Sequence, residues 1–400
     1  MPYGIKVLPV KNKSAVATKI TSTTVIGLVV TMVVAMLGDE LKKKLEDNRG
    51  LLLFSSAEEA LEKLKDVNGG TFKEDLWDIQ QQNVKSPVVL SIVSITEAQT
   101  KKSPLDFYGD AKIKSAVIKA VGNLQLARTI FGTANKVRIA IAPWFSHDDS
   151  VAGALDTLSV GTKTISIRDM HLNSVETALK KLEDLGSKRQ LAFPFYRKAW
   201  SVFEDKELEK PNSAVVAGHI AYWDAQLGEF GFAFDHANRP IYDVVGTTVP
   251  LTYEEGEDTC ETNRIVNAGG ALLINDDGWK LYNFETPADD QTFNKLEVVR
   301  LFDGLNENLQ KTLKRHKHRP VTDVFTLAKA DADAFLGKAV LAGASVGAKA
   351  WWSEQNTPSE VASGTIYMDY DNGANVGVRT IVVQPFATTE YYANLIANNK

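Results

Sequence analysis

The stretch Val25-Ile26-Gly27-Leu28-Val29-Val30-Thr31-Met32-Val33-Val34-Ala35-Met36-Leu37 decides between a membrane span and a core strand, and so decides the fold. It holds thirteen residues, whereas a helix needs roughly 20 to cross a bilayer. Gly27 and Thr31 interrupt it, and Val25, Ile26, Val29, Val30, Val33 and Val34 are β-branched. Branching at Cβ favours a buried strand over a lipid-facing helix. A secretory signal needs its apolar core nearer the start and a small-residue cleavage site, which Gly38, Asp39 and Glu40 do not supply. The stretch therefore reads as a core strand.

Outward from it, helices alternate with short strands, the pattern of α/β layers. Ala57 to Leu64 is expected as a helix, with Ser56 as N-cap and Glu59 as its capping-box partner. Pro87 to Ile95 and Val137 to Ala142 read as strands on either side of a helix over Ala111 to Ile130. Asn173-x-x-Glu176 opens a helix carrying Leu179, Leu182 and Leu185, which Gly186 closes at C′, and Leu191 to Phe195 is the next strand. The middle of the chain thus reads as an open, partly parallel sheet covered by helices. An acidic loop near Leu251 to Thr262 places a domain boundary close to residue 255. Beyond it the sequence predicts a β region over Ala271 to Phe284, a helix from Glu297 to His318, a helix near Ala330 to Leu341 and a strand at Thr365 to Asp369. The fold class is mixed α/β, divided as 1–21, 22–255, 256–375 and 376–400.

The two ends share a pattern. Ile5, Val7, Leu8 and Val10 form a short apolar alternation within a Lys-, Ser- and Thr-rich start. After the turn-like Asp371-Asn372-Gly373, the segment Val376 to Phe386 alternates into Thr380, Ile381, Val382 and Val383. Each reads as an extended strand with no core of its own.

With Lys+Arg 45 against Asp+Glu 50, the net charge of −5 gives no bulk drive toward nucleic acid or anionic lipid. The single cysteine, Cys260, excludes an intramolecular disulfide framework. Three motifs invite a chemical reading. Gly343-Ala344-Ser345-Val346-Gly347 matches the nucleophile elbow of α/β hydrolases, but a helix precedes it and a strand follows, the reverse of the required order. All six histidines also precede Ser345, so no triad histidine follows it. His147-Asp148-Asp149-Ser150, with Asp169 and His171 after the next strand, could converge on a metal or catalytic site. The same residues are what a helix N-cap demands, and capping is the preferred reading. Neither a P-loop nor a dinucleotide fingerprint is present, so no cofactor is expected. Finally, the helix with Leu301, Leu305, Leu309 and Leu313 ends in Lys311, Lys314, Arg315, His316, Lys317, His318 and Arg319. On a net-acidic chain this local excess points to docking on an acidic partner.

The C-terminal third resembles the tail sheath proteins of temperate contractile-tailed phages and R-type bacteriocins. The residues that carry the resemblance are Asn267-Ala268-Gly269-Gly270, Asp277-Gly278-Trp279-Lys280-Leu281-Tyr282, the basic helix end before Pro320-Val321, Trp351-Trp352-Ser353-Glu354, and Gly364-Thr365-Ile366-Tyr367-Met368-Asp369-Tyr370. Gly4 to Val10 and Thr24 to Thr31 also look like the family's start. The chain departs from the pattern at Asn283 and Glu285, where such sheaths usually carry Gly and Arg, and over the charged segment Gly38 to Asn48.

The resemblance implies a structural subunit, not an enzyme, that stacks as hexameric rings into a helical sheath around an inner tube and contracts to drive that tube through a target envelope. Baseplate and tail terminator proteins are the further partners it implies, with assembly in the bacterial host cytoplasm and a final place in a virion tail or contractile particle. The arms at Ile5, Val7, Leu8 and Val10 and at Thr380, Ile381, Val382 and Val383 are then exchanged between neighbours by β-augmentation. Thr365, Ile366, Tyr367 and Met368 are expected in the acceptor sheet, and Lys311, Lys314, Arg315 and Lys317 on the tube-facing surface. Rival classes are an α/β hydrolase or metal-dependent enzyme, and a membrane-anchored surface protein.

Overall fold

The computed structural model describes residues 24–101, 110–389, 391 and 392. The N-terminal arm residues Ile5, Val7, Leu8 and Val10 therefore lie outside the described residues. The decisive stretch folds as strand β1, Val25–Met32, with all eight residues buried. It lies inside a six-stranded sheet with β2 (Leu51–Phe54), β3 (Val88–Ser94), β4 (Val137–Ile141), β5 (Ile165–Asp169) and β6 (Gln190–Phe193), in the order β2-β3-β1-β4-β5-β6. Every neighbouring pair is parallel except β2 with β3.

A parallel strand covered on both faces needs apolar residues on both, which is why β1 shows a continuous run and no alternation. Ile26, Leu28, Val30 and Met32 point into one core with the helices Ala57–Lys63, Phe72–Gln80 and Ser213–Gln226. Val25, Val29 and Val33 point into the other, with Ala111–Asn123 and Asp149–Thr162. Gly27 permits the crossing to β4, because a Cβ there would sit 2.7 Å from Val137 Cγ1. Among the described residues no helix is long and apolar enough to cross a membrane.

Two caps differ in detail from the sequence reading. Ser56 accepts from Glu59 N at 3.1 Å as expected, but the Glu59 carboxylate turns to Ser55 N at 2.7 Å instead of closing on Ser56. The later helix Val175–Glu183 is capped by Ser174 and not Asn173, and ends at Asp184, two residues short of Gly186. Ser174 has the extended backbone that lets its hydroxyl reach Thr177 N.

A three-stranded antiparallel sheet, β8-β7-β9, follows (β7 Arg197–Ser201, β8 Lys206–Lys210, β9 Gly246–Thr247). Its base is a buried ionic network. Arg197, 0% exposed, lies 2.7 Å from Asp78 and 3.2 Å from Asp243, and Lys210, also 0% exposed, pairs with Asp78 and with Glu74 at 2.8 Å.

The loop near residue 255 does not divide the hydrophobic packing. The hairpin β10 (Leu272–Asn275) and β11 (Trp279–Tyr282) sends Leu273 and Leu281 into the same core as Ile26, and Leu296 joins them. A separate core begins beyond, around Leu301, Leu305, Leu309, Phe335, Leu336 and Ala339, and takes in Phe230 and Ala233 from before the loop. It is built on the helices Leu296–Leu313 and Val321–Leu341, the second starting nine residues earlier than expected because Pro320 serves as its N-cap. Ions tie the first of these helices to the sheet: Arg138 grips Glu307 at 2.6 and 3.0 Å, and Arg189 pairs with Asp303.

Candidate assembly interface

The Val321–Leu341 helix ends at Gly343, whose φ of 74° reverses the chain directly into strand β12, Ser345–Trp352. Such a left-handed C′ position is where glycine costs least. β12 pairs antiparallel with β13, Met368–Ala374, and with no other strand. Ser353 N donates to Tyr367 O at 3.1 Å, and this fixes the phase of the ladder. Gly347, Lys349 and Trp351 turn their main-chain groups toward β13, whereas Ala348, Ala350 and Trp352 turn theirs outward. On β13 the outward residues are Met368, Tyr370, Asn372 and Ala374. No described residue takes their N–H groups. On the β12 edge, Ala350 N donates to Asp333 Oδ1 at 3.1 Å.

Two expectations are corrected here. Thr365, Ile366, Tyr367 and Met368 are the residues expected in the acceptor sheet, but Thr365, Ile366 and Tyr367 precede β13 and only Met368 of the four lies in it. Thr365 N is spent on Glu360 O, closing the short helix Pro358–Ala362, so extension begins later. Asp371-Asn372-Gly373 is not a turn: it lies within β13, opposite Lys349, Ala348 and Gly347. Cross-strand pairing outweighs the local turn preference of those residue types.

After Ala374 the chain runs without regular structure to residue 389. Thr380, Ile381, Val382 and Val383 fall in this segment, and Ile381, Val382, Val383 and Phe386 are 81, 76, 80 and 84% exposed. A row of large apolar side chains in water is unfavourable by the usual transfer free energies and marks a surface meant to be covered. The segment is held at Arg379, which bonds to Glu285 and lies 3.2 Å from Glu297. Asn283, at φ 78°, takes the backbone conformation that a glycine would give, donates to Gly270 O at 3.0 Å and accepts from Glu285 N at 3.0 Å.

The basic helix end is partly consumed. Lys311 pairs with Glu307 at 3.0 Å, while Arg315 and His316 both bind Asp331. Lys314 and Lys317 are exposed and form no ion pair with a described residue. Both line a broad cleft of about 1650 Å³ with Arg128, Lys136, Lys163 and Arg319. Sequence reasoning gathered the cations of one helix and missed those from Arg128, Lys136 and Lys163, which the fold brings in from distant segments.

The chemical motifs resolve into structural roles. Ser345 Oγ donates to Asn372 Oδ1 at 2.6 Å, across the hairpin. Asp148 caps the Asp149–Thr162 helix, accepting from Ser150 N and Val151 N, while Asp149 pairs with Arg168 and Lys181. Asp169 is buried and accepts from Asn212 N and Ser213 N; burial pushes its carboxyl up to about 6 against those bonds. The His147 and His171 rings lie 6.5 Å apart. No cluster of three or more His, Cys, Asp or Glu able to hold a metal occurs among the described residues. Accordingly, Ser345→Ala and His147→Ala are expected to leave folding near normal, and Asp148→Ala to cost about 0.5–2 kcal/mol of stability, as urea unfolding would measure. A folded, fully assembled but inert particle from any of these variants would restore the enzyme reading.

The layered α/β body with its two-stranded hairpin and exposed C-terminal segment is similar in fold to solved contractile sheath chains. The fold matches the helical sheath of the anti-feeding prophage in its contracted state at a TM-score of 0.64 and 16% identity, over 97% of this chain and 99% of that one. It matches the contracted sheath of the extracellular contractile injection system PVC at 0.67 and 13% identity, over 98% and 99%. A chain in the anti-feeding prophage baseplate gives 0.65 at 14% identity, over 97% and 100%.

In sequence, the chain is 28% identical over 232 residues to the "Putative prophage major tail sheath protein" of Pseudomonas aeruginosa (strain UCBPP-PA14). That alignment takes in 58% of this chain and 59% of the relative, so the chain spans about three fifths of the relative's length. No family model matches the chain. The tail sheath resemblance and the mixed α/β class read from the sequence both hold.

Proposed function

We propose that the chain is the structural subunit of a contractile tail sheath, which polymerises around an inner tube and works by rearranging its lattice without any catalytic step. The observation that carries this reading is the exposed apolar segment Ile381–Phe386, which follows in sequence a two-stranded hairpin with outward main-chain groups to spare, on a fold shared with contractile sheaths. Pairing the segment of one subunit with the hairpin of the next covers the apolar row and satisfies the idle N–H and C=O groups together. The N-terminal arm, Ile5 to Val10, completes the exchange from a third subunit. Negative-stain electron microscopy of the overexpressed chain tests the proposal: long tubes are expected, and a discrete small oligomer refutes it.

The basic cleft is the proposed tube-facing surface; of the four cations first read there, Lys311 and Arg315 are held by Glu307 and Asp331, while Lys314 and Lys317 pair with no described residue. Contacts between exposed charges are screened as the Debye length falls to about 3 Å near 1 M salt. Lys314→Glu with Lys317→Glu is expected to impair assembly on the tube while empty tubes still form. Normal tube-filled tails from that variant would remove the tube assignment and leave the sheath reading standing.

A further inference from the structure

The open arm is not free along its whole length. At Arg379 the side chain turns back into the subunit, where three carboxylates from three separate segments meet it. Its Nη1 bonds to Glu285, just beyond β11; its Nη2 lies 3.2 Å from Glu297 Oε1, in the first turn of the Leu296–Leu313 helix; its Nε lies 3.7 Å from Asp235 Oδ2. A guanidinium suits such a seat, because its planar fork presents five donors to several acceptors where an ammonium is a single point.

The seat is built for a cation. Glu297 is 1% exposed, and its Oε2 has no hydrogen-bond partner among the described residues. Burial, with the Asp235 carboxylate beside it, pushes the Glu297 carboxyl up to about 8. Lys295, 3.5 Å from Glu285, is a further cation at the rim of the seat. The backbone also comes down close here, since a Cβ on Gly377 would lie 3.0 Å from the Asp235 side chain. On both sides of the seat the arm stands away: Val378 is 80% and Ile381 81% exposed.

We propose that Arg379 is the fixed root of the C-terminal arm: the Asp235–Glu285–Glu297 seat keeps residue 379 on its own subunit, and the part exchanged with a neighbour begins at Thr380. The proposal rests on the sheath reading and refines it, since Val376 to Val378 then belong to the parent body and the hinge lies at one peptide link. It also gives Glu285, a position where the chain departs from the family pattern, a role as partner of a cation carried on the arm. A seated root fixes the point and direction from which every arm leaves, so each subunit meets its neighbour from the same origin.

Two measurements on the full-length chain test it. The first is a double-mutant cycle on unassembled protein, with Arg379→Gln, Glu285→Gln and the double variant compared by urea unfolding. A seated Arg379 gives non-additive losses, the double variant falling no further than the worse single one; simple additivity overturns the seat. The second is the critical concentration for tube formation, expected to rise at least about tenfold in Arg379→Gln, as for loss of one charge-assisted anchor. Tubes that form at the wild-type concentration overturn the root. Should the wild-type chain itself form no tubes, the sheath reading fails, while the cycle still decides the seat.

Discussion

Chains ending at Arg379 are expected to be soluble, to unfold at nearly the wild-type temperature and to form no tubes. The described residues beyond Arg379 bury almost nothing on their own subunit, with Ile381, Val382, Val383 and Phe386 all more than three-quarters exposed. At about 25 cal/mol per Å² of apolar area removed from water, a segment that removes almost none contributes almost no intrinsic stability. On the proposed exchange, its value appears only in the polymer, where a neighbour's hairpin would cover it. Proline at Ile381, which deletes one ladder donor, should weaken assembly in the same direction. Deleting Met1 to Ile20, the arm read from the sequence alone, should likewise abolish tubes. Calorimetry of the truncated chain beside electron microscopy checks the prediction; persistent tubes, or outright unfolding, would show that the segment belongs to its own subunit's core.

The largest loss of stability is expected from Arg197→Met. Arg197 and Lys210 are both fully buried at the base of the β8-β7-β9 sheet, and between them hold Asp78, Asp243 and Glu74. Burial alone would raise Asp78, but Arg197 and Lys210 outweigh it and hold its carboxyl low; Asp243, with Asp78 beside it, is pushed up to about 6 by burial. Removing the guanidinium strands a buried carboxylate, a change that typically costs about 3–5 kcal/mol. Methionine fills much of the volume, so the loss reports charge and not a cavity. Urea unfolding measures it, and a cost below about 1 kcal/mol would mean that the network relaxes around Lys210 alone.

Much of this architecture is legible in the sequence because it follows from local chemistry. β-Branched residues without alternation announced a strand covered on both faces, and β1 is that strand. Leucines at three-to-four spacing announced the Leu296–Leu313 helix, and Leu301, Leu305 and Leu309 face its core. What the sequence hid depends on pairing over distance. Asp371-Asn372-Gly373 has turn chemistry, yet lies in β13 because β12, more than twenty residues earlier, offers Gly347, Ala348 and Lys349 across from it. The acidic loop near residue 255 marks a change in composition, while the hydrophobic packing runs from Ile26 to Leu296 across it. Arg379 gave no signal at all, since its seat is assembled from residues 235, 285 and 297.

The two edges of the β12–β13 hairpin are unlike. β13 offers four outward residues whose donors no described residue takes, whereas on β12 the Asp333 carboxylate already occupies Ala350 N. A strand arriving at β13 finds a vacant ladder; one arriving at β12 must first evict a hydrogen-bonded carboxylate. The subunit is therefore a polar building block, with a ready side and a guarded side. In the strand exchange proposed above, such a block would enter a stack with one preferred acceptor edge, set by one aspartate beside one strand.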